Sequence, residues 1–151
     1  MKNKETYRRP GYFKIMLVCM KPDGCWVLKG PREEQRLAEI LRDDYHVSRY
    51  EKMLQLVVRE MVEETAQEKV LQLFSTRHLQ EEFNRGGTEV SCFYQRKIDG
   101  EMRKVRAAAF PRKFDNRGQL KEFMIYVSEV EEKTRIEGCV WENEDAKAGE
   151  N

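Results

Sequence analysis

The residues in this chain whose types could do chemistry are four cysteines, two histidines, several paired carboxylates and one basic cluster. Cys19, Cys25, Cys92 and Cys139 form no Cys-x-x-Cys pair and have no histidine at ligand spacing. Neither a zinc site nor a redox dithiol is expected, and the thiols read as small buried hydrophobes. His46 and His78 have no serine or cysteine nucleophile motif beside them, so acyl-transfer chemistry has no starting point. The acidic pairs Glu33-Glu34, Asp43-Asp44, Glu63-Glu64 and Glu81-Glu82 would diverge by about 100° on a helix and cannot converge on one ion. They read as solvated faces. Arg103, Lys104, Arg106, Arg112, Lys113 and Arg117, with Phe110 and Phe114 among them, would suit an acidic partner or an ordinary half-exposed sheet. Gly86-Gly87 lacks the Lys-Ser/Thr of a phosphate loop and follows a helical stretch instead of opening one, so it reads as a helix stop.

Charge and hydropathy narrow the classes further. Against 28 Lys plus Arg stand 27 Asp plus Glu, a net charge of +1, so no chain-wide field favours nucleic acid or an anionic membrane. The longest apolar run, Ile15 to Met20, is too short to span a bilayer. A soluble, cytoplasmic protein with no membrane insertion and no nucleic-acid partner is expected.

The elements that must position these residues follow from their periods. Tyr12 to Met20 is β-branched, aromatic and apolar, Lys21-Pro22-Asp23-Gly24 supplies turn chemistry, and Cys25 to Leu28 is a second apolar run; together they predict a β-hairpin. Pro31 suits a helix start, and Leu37, Ile40 and Leu41 predict an amphipathic helix through Glu33–Asp43. Ser48-Arg49-Tyr50-Glu51 has the form of a capping box, followed at helical spacing by Met53, Leu54, Val57, Val58 and Met61. Thr65-Ala66-Gln67-Glu68 repeats the capping pattern. Two further short helices are expected, one with Val70, Leu71 and Phe74, the other from Thr76 to Arg85 with Leu79 and Phe83.

From Thr88 the period changes from helical to alternating. Val90, Cys92 and Tyr94 alternate with Ser91 and Gln95, Asp99-Gly100 marks a tight turn, and Val105, Ala107 and Ala109 alternate with Lys104 and Arg106. After a turn at Asp115–Gly118, Phe123 to Val127 is apolar on both faces, as expected of a central strand. Hairpins force antiparallel pairing, and helices grouped between the strand sets cover one face, so the fold class is α+β. The boundaries read as a flexible segment 1–11, a domain 12–133 and a tail 134–151 that could begin a linker, with the apolar island Cys139-Val140-Trp141 inside the tail.

The run Tyr94-Gln95-Arg96-Lys97-Ile98-Asp99-Gly100-Glu101-Met102-Arg103-Lys104-Val105 resembles the Tyr-Arg run, Asp-Gly turn and Arg-x-Val strand of PAS domains. The likeness is to PAS-like sensors attached to bacterial diguanylate cyclases and histidine kinases. It implies a five-stranded antiparallel sheet with short helices between strands 2 and 3 covering one face. It also implies a non-catalytic sensory domain, a homodimer, and an output domain in the same or a longer chain, with cyclic-di-GMP synthesis as one output. Glu129 stands where the family's relay Asp would be and is the corresponding relay residue. No Asn-Cys-Arg-Phe stretch for flavin photochemistry and no haem-ligand pattern is present, so no cofactor is assigned. Pocket walls would come from Val90, Cys92, Tyr94, Val105, Ala107, Phe123, Ile125 and Val127, faced by Phe74, Leu79 and Phe83.

Apolar residues at these periods form a filled core by default, and the small Ala107 and Ala109 are the one hint of room. Two other readings stay open. One is a dimerisation module without a ligand. The other is a small pocketed α+β enzyme using Tyr94, His78 or a buried carboxylate as acid or base.

Overall fold

In a computed structural model, residues 11–20, 23–41 and 48–130 are described. The expected turn residues Lys21 and Pro22, Asp43-Asp44, His46, the segment 1–10 and the tail with its Cys139–Trp141 island lie outside the described residues.

Strands β1 (Tyr12–Met20) and β2 (Asp23–Lys29) are followed by helices α1 (Arg32–Leu41) and α2 (Arg49–Met61). A 3₁₀ turn (Glu64–Ala66), α3 (Gln67–Leu73) and α4 (Thr76–Asn84) come next, then β3 (Val90–Ile98), β4 (Glu101–Phe114) and β5 (Leu120–Glu129). The strands form one five-stranded sheet in the order β2-β1-β5-β4-β3, every neighbour antiparallel. β5 is therefore the central strand. Its pairing with β1 closes the two hairpin sets into one sheet.

The caps explain the segmentation of the helical stretch. Ser48 Oγ accepts from the Glu51 N–H at the start of α2, and Asp23 at the head of β2 accepts from the Arg49 N–H at 2.7 Å. Glu51 does not close the expected box; its carboxylate reaches forward to accept from the Thr76 N–H and hydroxyl, both at 2.6 Å, tying the starts of α2 and α4 together. Ser75 caps α4 by accepting from the His78 N–H. The expected cap at Thr65 is corrected: the Thr65 hydroxyl donates to Glu63, and α3 begins without a side-chain cap.

The turns behave as their residues demand. Asp99 and Gly100 both take positive φ, as the tight hairpin between β3 and β4 requires. Gly86, at φ +103, ends α4. Pro111 lies inside β4 at a register shift, beyond the last β3 pair at Val90↔Ala109, so its missing N–H deprives no β3 neighbour.

Val105, Ala109, Phe123 and Leu79 are wholly buried between sheet and helices. The α1 expectation is corrected in two places. Ile40 is 60% exposed, and Glu34, read as part of a solvated face, is 1% exposed. The buried face of α1 is Glu34, Ala38 and Leu41, spaced by four and three residues, so a carboxylate heads the face turned inward.

Candidate functional site

Between the sheet and α2–α3 lies a cavity of about 40 Å³, room for a few water molecules. The sheet supplies Lys14, Met16, Tyr94, Ala107, Ile125 and Val127. Facing them are Tyr50, Met53, Leu54, Val57 and Val58 of α2, then Val62, Val70 and Phe74. Small side chains at Ala107 and the helical valines leave the space. The Met16 and Met53 side chains can reshape it.

Of the expected pocket positions, Phe74, Tyr94, Ala107, Ile125 and Val127 line this cavity. Leu79, Phe83, Val90, Cys92, Val105 and Phe123 are buried in the core and do not line it. The division follows from the helices. α4 packs near the start of β5, where Asn84 Oδ1 accepts from the Leu120 N–H, and its Leu79 and Phe83 fill that end completely. Phe123 is covered by the Tyr50 ring, edge-on at 5.2 Å between centroids. Tyr50 donates its hydroxyl to the Phe74 carbonyl at 2.6 Å, which joins α2 to the end of α3.

The charged residues beside the cavity were not anticipated. Lys14 Nζ lies 2.5 Å from Glu34 Oε1, and Arg96 Nη2 lies 2.5 Å from Glu34 Oε2. All three residues are buried, at 6%, 1% and 2% exposure. Arg96 Nε also donates to the Lys97 carbonyl, and its guanidinium sits over the Phe13 ring. Burial alone would raise the Glu34 pKa, but Lys14 and Arg96 outweigh it and hold the carboxyl at about 2. One signal for Lys14 was present in the sequence: it occupies the same strand face as Met16 and Val18, at alternate positions of an apolar run.

Other titratable groups are held neutral. Burial pushes the Cys92 thiol up to about 11, against the pull of Lys69, and a neutral thiol is a poor nucleophile. Tyr94 is raised by burial in spite of Arg96, and burial also raises Tyr50. His78 is half-buried on α4 and does not line the cavity, and neither does Glu34. Of the acid–base candidates named from sequence, only Tyr94 reaches the cavity.

The sheet's outer face has a different character. Tyr12, Tyr126 and Phe110 form an aromatic row with centroid spacings of 5.0 and 5.8 Å. Leu28, Phe93 and Met102 are exposed on it. Of the six residues of the basic cluster three form ion pairs among the described residues: Arg112 contacts Glu122 at 2.6 Å and Arg106 contacts Glu89 on this face, while Arg103, in register with Arg96, contacts Glu129 at 2.7 Å and Glu101 at 2.8 Å. Glu129 thus ends β5 in an exposed ion pair. Among the described residues no group of three or more His, Cys, Asp or Glu could hold a metal ion, and no helix is long and apolar enough to cross a membrane.

No protein-family model matches the chain, and no curated protein matches it. Solved structures similar to it include a sensory box histidine kinase/response regulator from Burkholderia thailandensis E264. That structure has 11% identity and a TM-score of 0.45, over 84% of this chain and 83% of that one. An RNA-binding light-oxygen-voltage receptor matches with 11% identity and a TM-score of 0.46, over 92% of this chain and 36% of that one. A light-oxygen-voltage domain studied with a flavin analogue matches with 12% identity and a TM-score of 0.40, over 87% and 84% of the two chains. The sheet order β2-β1-β5-β4-β3, with four helices between β2 and β3, makes this an α+β domain of PAS-like fold.

Proposed function

We propose that this chain is a non-catalytic sensory or relay domain that takes a small ligand between its sheet and helices and passes the resulting bias to an output domain. The observation that carries the reading is the cavity itself, lined mainly by apolar side chains and walled on one side by the central strand β5. A ligand there touches Ile125 and Val127, four and two residues before Glu129 at the strand's end, so a change in packing is delivered to the point where the chain leaves the sheet. Glu129, paired with Arg103, is the proposed relay residue. The output we favour is a bacterial histidine kinase or diguanylate cyclase domain, as the Tyr94–Val105 resemblance implies.

Native mass spectrometry of the purified chain, with light scattering for its mass, tests this reading. A small molecule retained by the folded chain and lost in Ala107→Leu, which fills the cavity, is the expected result. A chain that never retains or takes up a small molecule contradicts it.

The outer face supports a second reading, homodimerisation. Its aromatic row and exposed Phe93 and Met102 form the kind of apolar surface that marks association sites. A ligand-free dimer in the same measurement would favour it.

A further inference from the structure

The ion cluster beside the cavity is unbalanced. Among the described residues, Lys14 and Arg96 contribute two cations and Glu34 one carboxylate, so the buried set carries an excess positive charge. Among the described residues, Lys14 is the one charged residue that lines the cavity. Its ammonium has three donors, and Glu34 Oε1 is the one carboxylate it reaches among the described residues. Tyr94 lines the same space, and its hydroxyl makes no hydrogen bond to another described residue. Burial keeps that hydroxyl protonated, hence a donor. A buried cation and a half-buried tyrosine hydroxyl with no partner among the described residues, both on residues that line one mainly apolar cavity, are what a small anion with an apolar body needs: charge-assisted donors at one end and apolar walls around the rest.

We infer that the cavity is a site for a short-chain carboxylate, its anionic group held by Lys14 and the Tyr94 hydroxyl and its alkyl body lying against the valines and methionines of the opposite wall. This rests on the ligand-binding reading above and deepens it by assigning the ligand's class. The carboxylate neutralises the excess charge of the cluster, and Met16 and Met53 supply the adaptability that a cavity of about 40 Å³ requires to close around several heavy atoms.

The test compares propionate with its uncharged isostere propionamide, read by the ¹³C-methyl resonances of Met16 and Met53 in the full chain. Saturable shifts with propionate, at an affinity roughly tenfold or more above propionamide, are expected. Lys14→Met should abolish that preference while leaving the neutral Glu34–Arg96 pair to maintain the fold. Tyr94→Phe, which keeps the ring, should weaken propionate several-fold and leave propionamide unchanged. Equal binding of the two compounds, or an undiminished preference in folded Lys14→Met, would overturn the anion assignment while sparing the ligand-binding reading. Failure of both compounds to move either methyl would overturn the two together.

Discussion

The two faces of one sheet use the same chemistry to different ends. On the inner face Lys14, Glu34 and Arg96 form ion pairs at no more than 6% exposure; on the outer side Arg106 and Arg112 pair with Glu89 and Glu122 where solvent reaches them. Outside, solvent and salt screen each pair, and its net worth is small. Inside, each charge has lost its hydration and depends on its partners, so removing one strands the others. A contact distance near 2.5 Å therefore says little about worth until burial is known.

The largest expected effect breaks the inner set. Glu34→Ala leaves Lys14 and Arg96 buried without a counter-ion and should cost about 3–5 kcal/mol in denaturant unfolding. Replacing all three residues together by apolar ones of similar volume, as Lys14→Met, Glu34→Leu and Arg96→Met, should restore most or all of that stability. If Glu34→Ala costs no more than an exposed pair, the distinction between the faces collapses.

Acid gives the next largest effect. The Glu34 carboxyl titrates near 2 in the folded chain against 4.5 for the unperturbed group, so its contribution is present above about pH 4.5 and is lost as pH falls toward 2. The loss amounts to about 3 kcal/mol. Unfolding free energy measured across that interval should fall less steeply in the triple apolar variant than in the parent chain. The outer face sets the small end of the scale: Arg106→Gln should change stability by under about 1 kcal/mol, and by less still at high salt.

Much of the fold was legible because local chemistry dictated it. Asp99-Gly100 could only be a tight turn, Gly86 stopped α4 through its positive φ, and alternation at Val90–Tyr94 and Val105–Ala109 fixed which face turned inward. The strand order was not legible from pattern alone, because the β1–β5 pairing joins segments about a hundred residues apart and no local period reports it. For the same reason the charged cluster escaped notice. Lys14 and Arg96 occupy inward positions of β1 and β3 by alternation, but they and Glu34 of α1 come from three separate segments, and no local period reports that they meet. The apolar pocket positions were half legible: period marks a residue as inward, but only the placement of α4 against the start of β5 decides that Leu79 and Phe83 fill space while Phe74 borders it.

The central claim is that ligands enter on the inner face. Methionine methyl resonances test it most directly, since Met16 and Met53 line the cavity while Met102 is exposed and Met124 lies beside Tyr126 on the outer face. Titration with propionate should shift Met16 and Met53 and leave Met102 and Met124 in place. Shifts confined to Met102 and Met124 would contradict the account and place recognition on the outer face of the sheet.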